Sequence, residues 1–214
     1  MQLKYFMIVL YIFSVIFLYY LSLLSQPEAI QLDDIPNYEE KLVIVEGIVS
    51  KHTLTSYGGH IIEIRDKAEN YSQAILFVEE ETEVEYGDTI KATGKVTQYK
   101  GDWEVVVSNK KDITILQKWQ NISIPLWQLA QNPTHYVDMN INVSGFIERD
   151  YGSYFYLIDL QDEHTLAVYY DSTRFNNITE GNEIRVGGQF IYNMETLRYI
   201  IQTNMPNHFI TEVS

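Results

Sequence analysis

Cysteine is absent from this 214-residue chain, and its absence excludes several classes of protein. A disulfide-stabilised scaffold, a cysteine-based zinc site, an iron–sulfur cluster and a thiol nucleophile all require Cys. Proline is scarce, with 5 residues, whereas tyrosine is abundant, with 17. Aromatic-rich, proline-poor chains favour β-strands. Because 46% of the residues are hydrophobic, the chain can bury a core, which excludes wholesale disorder.

Recognised catalytic motifs are missing as well. The sequence contains no glycine-rich phosphate loop, no HExxH zinc motif and no GxSxG nucleophile turn. Its five histidines are scattered, and acidic pairs such as Asp33–Asp34 and Asp162–Glu163 fall in predicted loops without a partner motif. We therefore expect no catalytic residue, no metal site and no cofactor.

Positive charge is in short supply. The chain has 15 Lys and Arg against 29 Asp and Glu, which gives a formal net charge of −14. The imbalance is spread evenly, because residues 27–118 carry a net charge of −8 and residues 119–214 one of −7. Nucleic-acid affinity depends largely on Lys and Arg side chains that neutralise phosphates. The composition therefore predicts weak binding of polyanions.

One stretch lacks charge altogether. Residues 5–24 contain no charged side chain, Pro or Gly, and as a helix they would extend about 30 Å, the thickness of a hydrocarbon core. Lys4 precedes the stretch and acidic residues follow it. By the positive-inside rule, residues 1–26 are predicted to be a single-pass membrane anchor, with the amino terminus cytoplasmic and the remainder outside. A cleaved signal peptide is the alternative, although its apolar region would usually be about 7–15 residues.

Export would expose asparagine sequons to glycosylation in a host that glycosylates exported proteins. Four Asn-x-Ser/Thr motifs occur, whereas Asn132 is excluded because Pro133 follows it. The candidate acceptors are Asn70, Asn121, Asn142 and Asn177.

The rest of the chain repeats itself. Residues 38–49 read YEEKLVIVEGIV and residues 136–147 read YVDMNINVSGFI. Each is an alternating strand interrupted by glycine, a residue that marks a bend or bulge within a strand. Further on, GDTIKATG at 87–94 aligns without a gap with GNEIRVGG at 181–188. The repeat therefore predicts two copies of one β-structure.

Each copy contains about five alternating or apolar segments that read as strands. We expect the first domain at residues 27–118 and the second at residues 119–214. Between the strands of the two copies, SIPLWQLAQNP at 123–133 has a possible Ser N-cap, an early Pro and a terminal Pro. That pattern predicts a short helix at the start of the second domain.

The order of these motifs resembles the OB-fold, specifically its anticodon-binding and helicase-type modules. The shared features are a V-x-G-x-V strand, a second strand that ends in Asp, and a segment of the type G-D-x-I-x-x-x-G. They lie at Val45–Val49, Asp66 and Gly87–Gly94 in the first copy, and at Val143–Ile147, Asp159 and Gly181–Gly188 in the second. With the apolar segment, the resemblance implies an all-β protein: two tandem five-stranded OB-type barrels preceded by one transmembrane α-helix. Members of the family commonly bind single-stranded nucleic acid, and the fold also binds oligosaccharides and proteins.

Tyrosines mark the predicted binding face of the second barrel. Alignment of the second strands on their terminal Asp places Phe155 and Leu157 at inward positions. Tyr154 and Tyr156 then face outward, with Tyr169 beside them on the third strand. Because strands two and three carry the usual binding face of this fold, these three tyrosines are the candidate ligand-binding residues.

These observations predict a membrane-anchored, extracytoplasmic tandem OB-fold module that binds or assembles a partner. The partner would be an envelope protein, a peptide or a glycan, because Tyr offers apolar area and a polar tip without needing positive charge. The alternative is a single-stranded nucleic-acid-binding protein. Stacking on tyrosine favours that alternative, whereas four basic against 11 acidic residues in 119–214 oppose it.

Overall fold

The protein has one amino-terminal helix, followed by two units built mainly of β-strands. The computed structural model describes residues 2–24, 26–66, 72–175 and 178–213, apart from the side chains of residues 2, 3, 9 and 20–24. Helix α1 spans Gln2–Leu24. The first β-unit follows it as β1 (Glu28–Ala29), a 3-10 helix (Leu32–Tyr38), β2 (Leu42–Leu54), β3 (His60–Arg65), β4 (Gln73–Val78), β5 (Thr89–Tyr99), β6 (Asp102–Val107), a 3-10 turn (Lys110–Asp112) and β7 (Ile113–Gln117).

The second unit repeats this sequence of strands behind a short helix. It consists of a 3-10 turn (Trp119–Asn121), β8 (Ser123–Pro125), α2 (Leu126–Gln131), a 3-10 turn (Pro133–Tyr136), β9 (Asn140–Asp150), β10 (Tyr154–Ile158), β11 (Thr165–Tyr169), β12 (Glu183–Asn193), β13 (Arg198–Gln202) and β14 (Phe209–Glu212). The short helix that the sequence predicts within 123–133 corresponds to α2.

Each unit closes into a five-stranded barrel. In the first barrel, β2 pairs with β3, β3 with β4, β4 with β6, β6 with β5, and β5 returns to β2. The second barrel repeats this order with β9, β10, β11, β13 and β12. The β4–β6 and β11–β13 pairs are parallel, and the other pairs within each barrel are antiparallel. This is the closed order of an OB barrel, and it confirms the OB-type fold that the sequence repeat predicts.

The strands alternate apolar and polar residues, and their apolar side chains fill the two barrels. In β3 the side chains of His60, Ile62 and Ile64 are buried while their neighbours are partly exposed, as expected for a strand with one face in a core. The second barrel is filled in the same way by Phe155 and Leu157 of β10, both fully buried. The inward positions predicted from the aligned second strands are therefore observed.

A glycine lets the second strand approach the first strand closely in each barrel. A Cβ on Gly47 would lie 2.8 Å from the carbonyl oxygen of Arg65, and one on Gly145 would lie 2.7 Å from that of Ile158. Only glycine lets the second strand approach so closely. The repeated glycine of the sequence therefore has the same mechanical role in both barrels.

The two barrels meet at a joint formed by Glu85, Trp119, Asn207 and Phe209. Trp119 is 2% exposed and its ring stacks on Phe209, with 6.0 Å between centroids. One oxygen of Glu85 accepts hydrogen bonds from Trp119 Nε1 and from Asn207 Nδ2, each 2.7 Å long. Burial by itself would raise the pKa of Glu85, but these hydrogen bonds outweigh it and lower the pKa. The charged carboxylate thus links the first barrel to the segments before and after the strands of the second.

Asp88 strengthens the same joint from the first barrel. Its side chain is fully buried and accepts hydrogen bonds from Lys118 Nζ at 2.9 Å and from the backbone N–H of Trp119 at 3.2 Å. A buried carboxylate is tolerated only when it is paired in this way. The linker between the barrels is therefore fixed rather than a free tether.

The predicted transmembrane helix requires correction. A membrane span needs about 20 consecutive, predominantly apolar residues. Within the ranges that the structure describes, no helix meets both the length and the apolarity that crossing a membrane demands. We therefore correct the single-pass anchor predicted at residues 5–24, and with it the membrane partner. The extracytoplasmic placement rested on that anchor and loses its basis.

Candidate functional site

The three candidate tyrosines lie together on the outer face of the second barrel. Tyr154 and Tyr156 alternate with buried residues of β10, so both project away from the core. Tyr169 of β11 lies directly opposite Tyr154 in the antiparallel register. The strand pairing therefore brings all three side chains to one surface, as the sequence predicts; their role in binding remains a prediction.

A fourth tyrosine, which sequence reasoning missed, completes a stack. The ring of Tyr151 stacks on Tyr154 with 4.8 Å between centroids and 12° between planes. Tyr169 also stacks on Tyr154, at 5.4 Å and 25°. Because two parallel rings cannot occupy the same side, Tyr154 is the middle ring of a three-ring tyrosine stack. Its terminal rings remain accessible, with Tyr151 48% and Tyr169 37% exposed.

A tight turn holds Tyr151 over the strand. Asp150 Oδ1 accepts a hydrogen bond from the backbone N–H of Gly152 at 2.9 Å, and Gly152 has a φ of +83° that favours glycine. Tyr170 donates its hydroxyl to the same oxygen at 2.8 Å. Burial first, and this carboxylate second, raise the pKa of Tyr170 to about 12, so the phenol stays protonated and keeps donating. The D-Y-G-S-Y order is the sequence signal that could have placed Tyr151 here.

Two arginines border these rings. The guanidinium of Arg149 lies 6.0 Å from the ring centroid of Tyr151. Arg198 begins β13, the strand next to β11. Partial burial raises the pKa of Tyr154, and the charge of Arg198 acts in the opposite sense. We call the tyrosine stack together with Tyr156 the tyrosine face; positive charge is present at two of its edges.

A cavity opens beside this face. It has a volume of about 540 Å³ and lies between α2 and strands β10 to β13, with Tyr156 and Arg198 on its wall. Phe190 and Tyr199, which also line it, stack on one another at 5.2 Å and 15°. Such a volume is typical of small-molecule sites. Tyr156 belongs to both features, because its ring also packs edge-on against Tyr154 at 5.8 Å.

A histidine of the cavity wall is held by a buried carboxylate. Asp159 Oδ2 lies 2.6 Å from His164 Nδ1, and Asp159 Oδ1 accepts the backbone N–H of Glu163 at 2.8 Å. Burial alone would raise the pKa of Asp159, but these hydrogen bonds outweigh it and lower the pKa. Since Nδ1 of His164 is engaged, Nε2 is the ring nitrogen left for a ligand. Among the described residues, no three His, Cys, Asp or Glu side chains are grouped as metal ligands would be.

The first barrel has a different surface at the equivalent strands. Glu63 and Arg65 occupy outward positions of β3, and Glu63 accepts a hydrogen bond from Lys51 Nζ at 2.9 Å. Tyrosines are absent from β3 and β4. The outward tyrosines of the second and third strands therefore occur in the second barrel and not at the equivalent strands of the first.

The four candidate glycosylation sites have different positions. Asn121 is exposed at the end of a 3-10 turn. Asn142 is 2% exposed and its Nδ2 donates to the carbonyl of Gln120 at 2.8 Å, so the folded barrel leaves no room for a glycan there. Asn70 and Asn177 lie outside the described residues.

Comparison with known proteins assigns no family. No family model matches the chain, and no curated protein matches it. Among solved structures, a putative aspartyl-tRNA synthetase from Leishmania major Friedlin is similar at 13% identity and a TM-score of 0.35, over 44% of this chain and 21% of the other. The chain thus spans about a fifth of that protein.

Two further solved structures are similar over more of their own length. The OBody AM1L10, bound to hen egg-white lysozyme, is 23% identical over 44% of this chain and 98% of its own, with a TM-score of 0.36. A murine DNA-binding protein bound with double-stranded DNA is 12% identical over 80% and 96% of the two chains, with a TM-score of 0.33. These likenesses are distant, and the OB assignment rests on the strand pairing of the chain itself.

Proposed function

We propose that this chain is a non-catalytic binding protein whose second barrel holds a short single-stranded nucleic-acid segment on the tyrosine face. One observation carries the proposal: Tyr151, Tyr154 and Tyr169 form a ready-made stack with exposed terminal rings. Every nucleobase has a π-face, so a terminal ring can accept a base of any identity, and each such contact contributes about 1–3 kcal/mol. Because Tyr154 is covered on both sides, Tyr151 and Tyr169 are the rings that would meet bases, and Tyr154 supports them.

Local charge supports this function, although the barrel as a whole is acidic. Arg149 and Arg198 border the face, whereas Arg174 is occupied by three backbone carbonyls of the segment before β14. With these two arginines, the tyrosine face can neutralise two phosphates. For a single strand the logarithm of affinity falls by about 0.7 per neutralised phosphate for each tenfold rise in salt, so we expect a slope of about −1.4.

A neutral glycan or a peptide is the second candidate ligand. The net charge of −7 on residues 119–214 favours it, because such a ligand would not be repelled. Tyrosine also recognises such partners through its apolar ring and polar hydroxyl. Salt separates the two candidates, since stacking of an uncharged ligand does not release counterions.

The proposal is tested by fluorescence anisotropy with the full chain and a labelled oligothymidylate of about ten nucleotides, which fits one OB barrel. We expect binding at low salt that weakens with a slope of about −1.4 as salt rises. Tyr169→Ala should weaken binding about 5- to 150-fold, the factor for one lost stacked base. Tyr57→Ala is the matched control, because Tyr57 is 99% exposed on the first barrel.

Three results would contradict the proposal. If the oligonucleotide does not bind at low salt, the face has another ligand. If it binds but Tyr169→Ala and Tyr57→Ala behave alike, the nucleic acid lies elsewhere on the chain. Binding that strengthens as salt rises would show that repulsion by the whole acidic chain outweighs the two arginines, and would favour the uncharged ligand.

A further inference from the structure

The cavity under α2 differs from the tyrosine face in shape and chemistry. The face is an open row of rings, whereas the cavity is a half-open recess lined by Leu129 and Ala130 of α2 and by Phe190 of β12. Leu129 and Phe190 are almost fully buried, which makes this lining part of the barrel core. A ligand there would be bordered by protein on more than one side rather than laid across a flat surface.

Fixed aromatic rings form the walls. Tyr199 is held between Phe190, on which it stacks, and Tyr192, which it meets edge-on at 5.1 Å. Tyr156 forms another wall and touches the tyrosine stack through Tyr154. Rings that are already held by neighbours lose little freedom when they receive a flat ligand. The walls are therefore suited to a planar aromatic group.

The polar groups of the cavity are few and differ in charge. Arg198 is the fixed positive charge among the described lining residues, and Glu163 is the fixed negative one. His164 is anchored through Nδ1 by Asp159, which leaves Nε2 as a hydrogen-bonding atom for a ligand. An anionic group attached to the planar ligand would be attracted to Arg198, and a polar edge of the ring could pair with His164.

The cavity lies a short distance from the tyrosine stack. Tyr169 is opposite Gln202 on β13, and Arg198 lies four residues before Gln202 on that strand. At about 3.3 Å per residue the two positions are separated by about 13 Å. A stacked strand rises about 3.4 Å per nucleotide along its axis, so a few nucleotides would bridge the two positions. A strand that crosses the stack can therefore reach the cavity.

We propose that the cavity between α2 and strands β10–β13 receives one unstacked base of the bound single strand, with its phosphate on Arg198. This inference rests on the proposed function and makes the site more specific. The open stack binds bases by their faces, and the half-open cavity accepts one base edge as well. The segment bound by the second barrel thus has a fixed position rather than a sliding one.

The test compares two substitutions on α2 in the full chain. Ala130→Phe places a ring in the cavity, whereas Gln128→Phe adds the same ring on the exposed side of the same helix. The probe is an oligothymidylate of about ten nucleotides, together with a series in which each base in turn is replaced by an abasic residue. For the unmodified protein we expect one position where loss of the base weakens binding about 5- to 150-fold.

Ala130→Phe should weaken binding of the intact oligonucleotide by the same factor and abolish the response to that abasic position, while Gln128→Phe changes neither. If Ala130→Phe lowers the melting temperature far more than Gln128→Phe does, Thr165→Phe at the exposed mouth of the cavity replaces it. Binding that depends on Tyr169 but is unaffected by Ala130→Phe and by Thr165→Phe would overturn this inference and leave the proposed function intact. No binding by the unmodified protein would overturn the proposed function itself.

Discussion

The two barrels share every strand pairing but differ on the surface of their second and third strands. In the first barrel this surface carries Glu63 and Arg65, with Glu63 paired to Lys51. In the second it carries Tyr154 and Tyr156, whose rings pack with other tyrosines. Inward residues must fill a closed core, whereas outward residues are released from that constraint. The comparison teaches that the repeat preserves the barrel, while the outward residues of its second and third strands differ.

A second contrast concerns the joint. Gly87 and Gly181 occupy the same position of the repeat and have similar φ values, +86° and +85°. An added Cβ on Gly87 would overlap the carbonyl of Asn140 in the second barrel, whereas Gly181 has nothing within 4 Å. One sequence motif thus serves as a plain turn in one barrel and as a contact surface in the other.

The largest loss of stability is expected from substitutions at these two glycines. Gly181→Ala should lower the free energy of unfolding by about 1–2 kcal/mol, the cost of a left-handed conformation for an L-residue. Gly87→Ala should cost more than that, because the methyl group also meets backbone that cannot rotate away. Urea unfolding of both variants measures the difference. Equal losses would contradict the tight contact between the barrels.

Acid should next destabilise the second barrel close to the joint. His208 donates from Nε2 to Asn140 Oδ1 and accepts the N–H of Met205 at Nδ1, both at 3.2 Å. Burial first, and Arg174 second, lower the pKa of His208 from 6.5 to about 4. The unfolded chain therefore takes up a proton before the folded one, and stability falls as pH drops from 6.5 towards 4.

The expected loss from this histidine between pH 7 and pH 5 is about 2 kcal/mol. His208→Gln should flatten the pH dependence of the urea midpoint in that window. The pKa of His52 is also lowered, by burial first and then by His60. His52→Gln therefore measures how much of the pH dependence of stability comes from the first barrel. A pH dependence that His208→Gln leaves unchanged would argue against a buried neutral histidine at the joint.

An effect of similar size is expected from Asn207→Asp. The substitution replaces the donor of a 2.7 Å hydrogen bond to Glu85 with a second carboxylate. Loss of a hydrogen bond to a charged group costs about 1.5–3 kcal/mol. Asn204→Asp is the matched control, because Asn204 is exposed in the same segment and the change in charge is identical. If the urea midpoints of the two variants agree, Asn207 does not couple the barrels.

The smallest effect belongs to the charged face of the first barrel. Lys51 and Glu63 are partly exposed, with 59% and 30% of their side-chain surfaces accessible, and surface ion pairs of this kind contribute little. Lys51→Ala should leave the urea midpoint and the affinity for oligothymidylate within error of the unmodified protein. A clear loss of affinity would show that the first barrel also contacts the ligand.

Much of this protein could be predicted from local sequence. Alternation of apolar and polar residues determined the strands, and the repeated glycines at positions 47 and 145 determined where the second strand can approach the first closely. The outward direction of Tyr154 and Tyr156 followed from the two-residue period of a strand. The membrane anchor was different, because it rested on the composition of residues 5–24 and on no periodic pattern, and it required correction.

Tertiary structure decided what the sequence left open. The stack needs Tyr151, which a turn folds back over β10, so that Tyr154 is a covered middle ring rather than a free one. The joint unites Glu85 with Asn207 across 122 positions of sequence, and the cavity appears only where α2 meets the closed barrel. The physical reason is the separation along the sequence over which each kind of interaction acts. Periodicity and turn chemistry act over a few residues, whereas contacts between distant segments exist only once both barrels have closed.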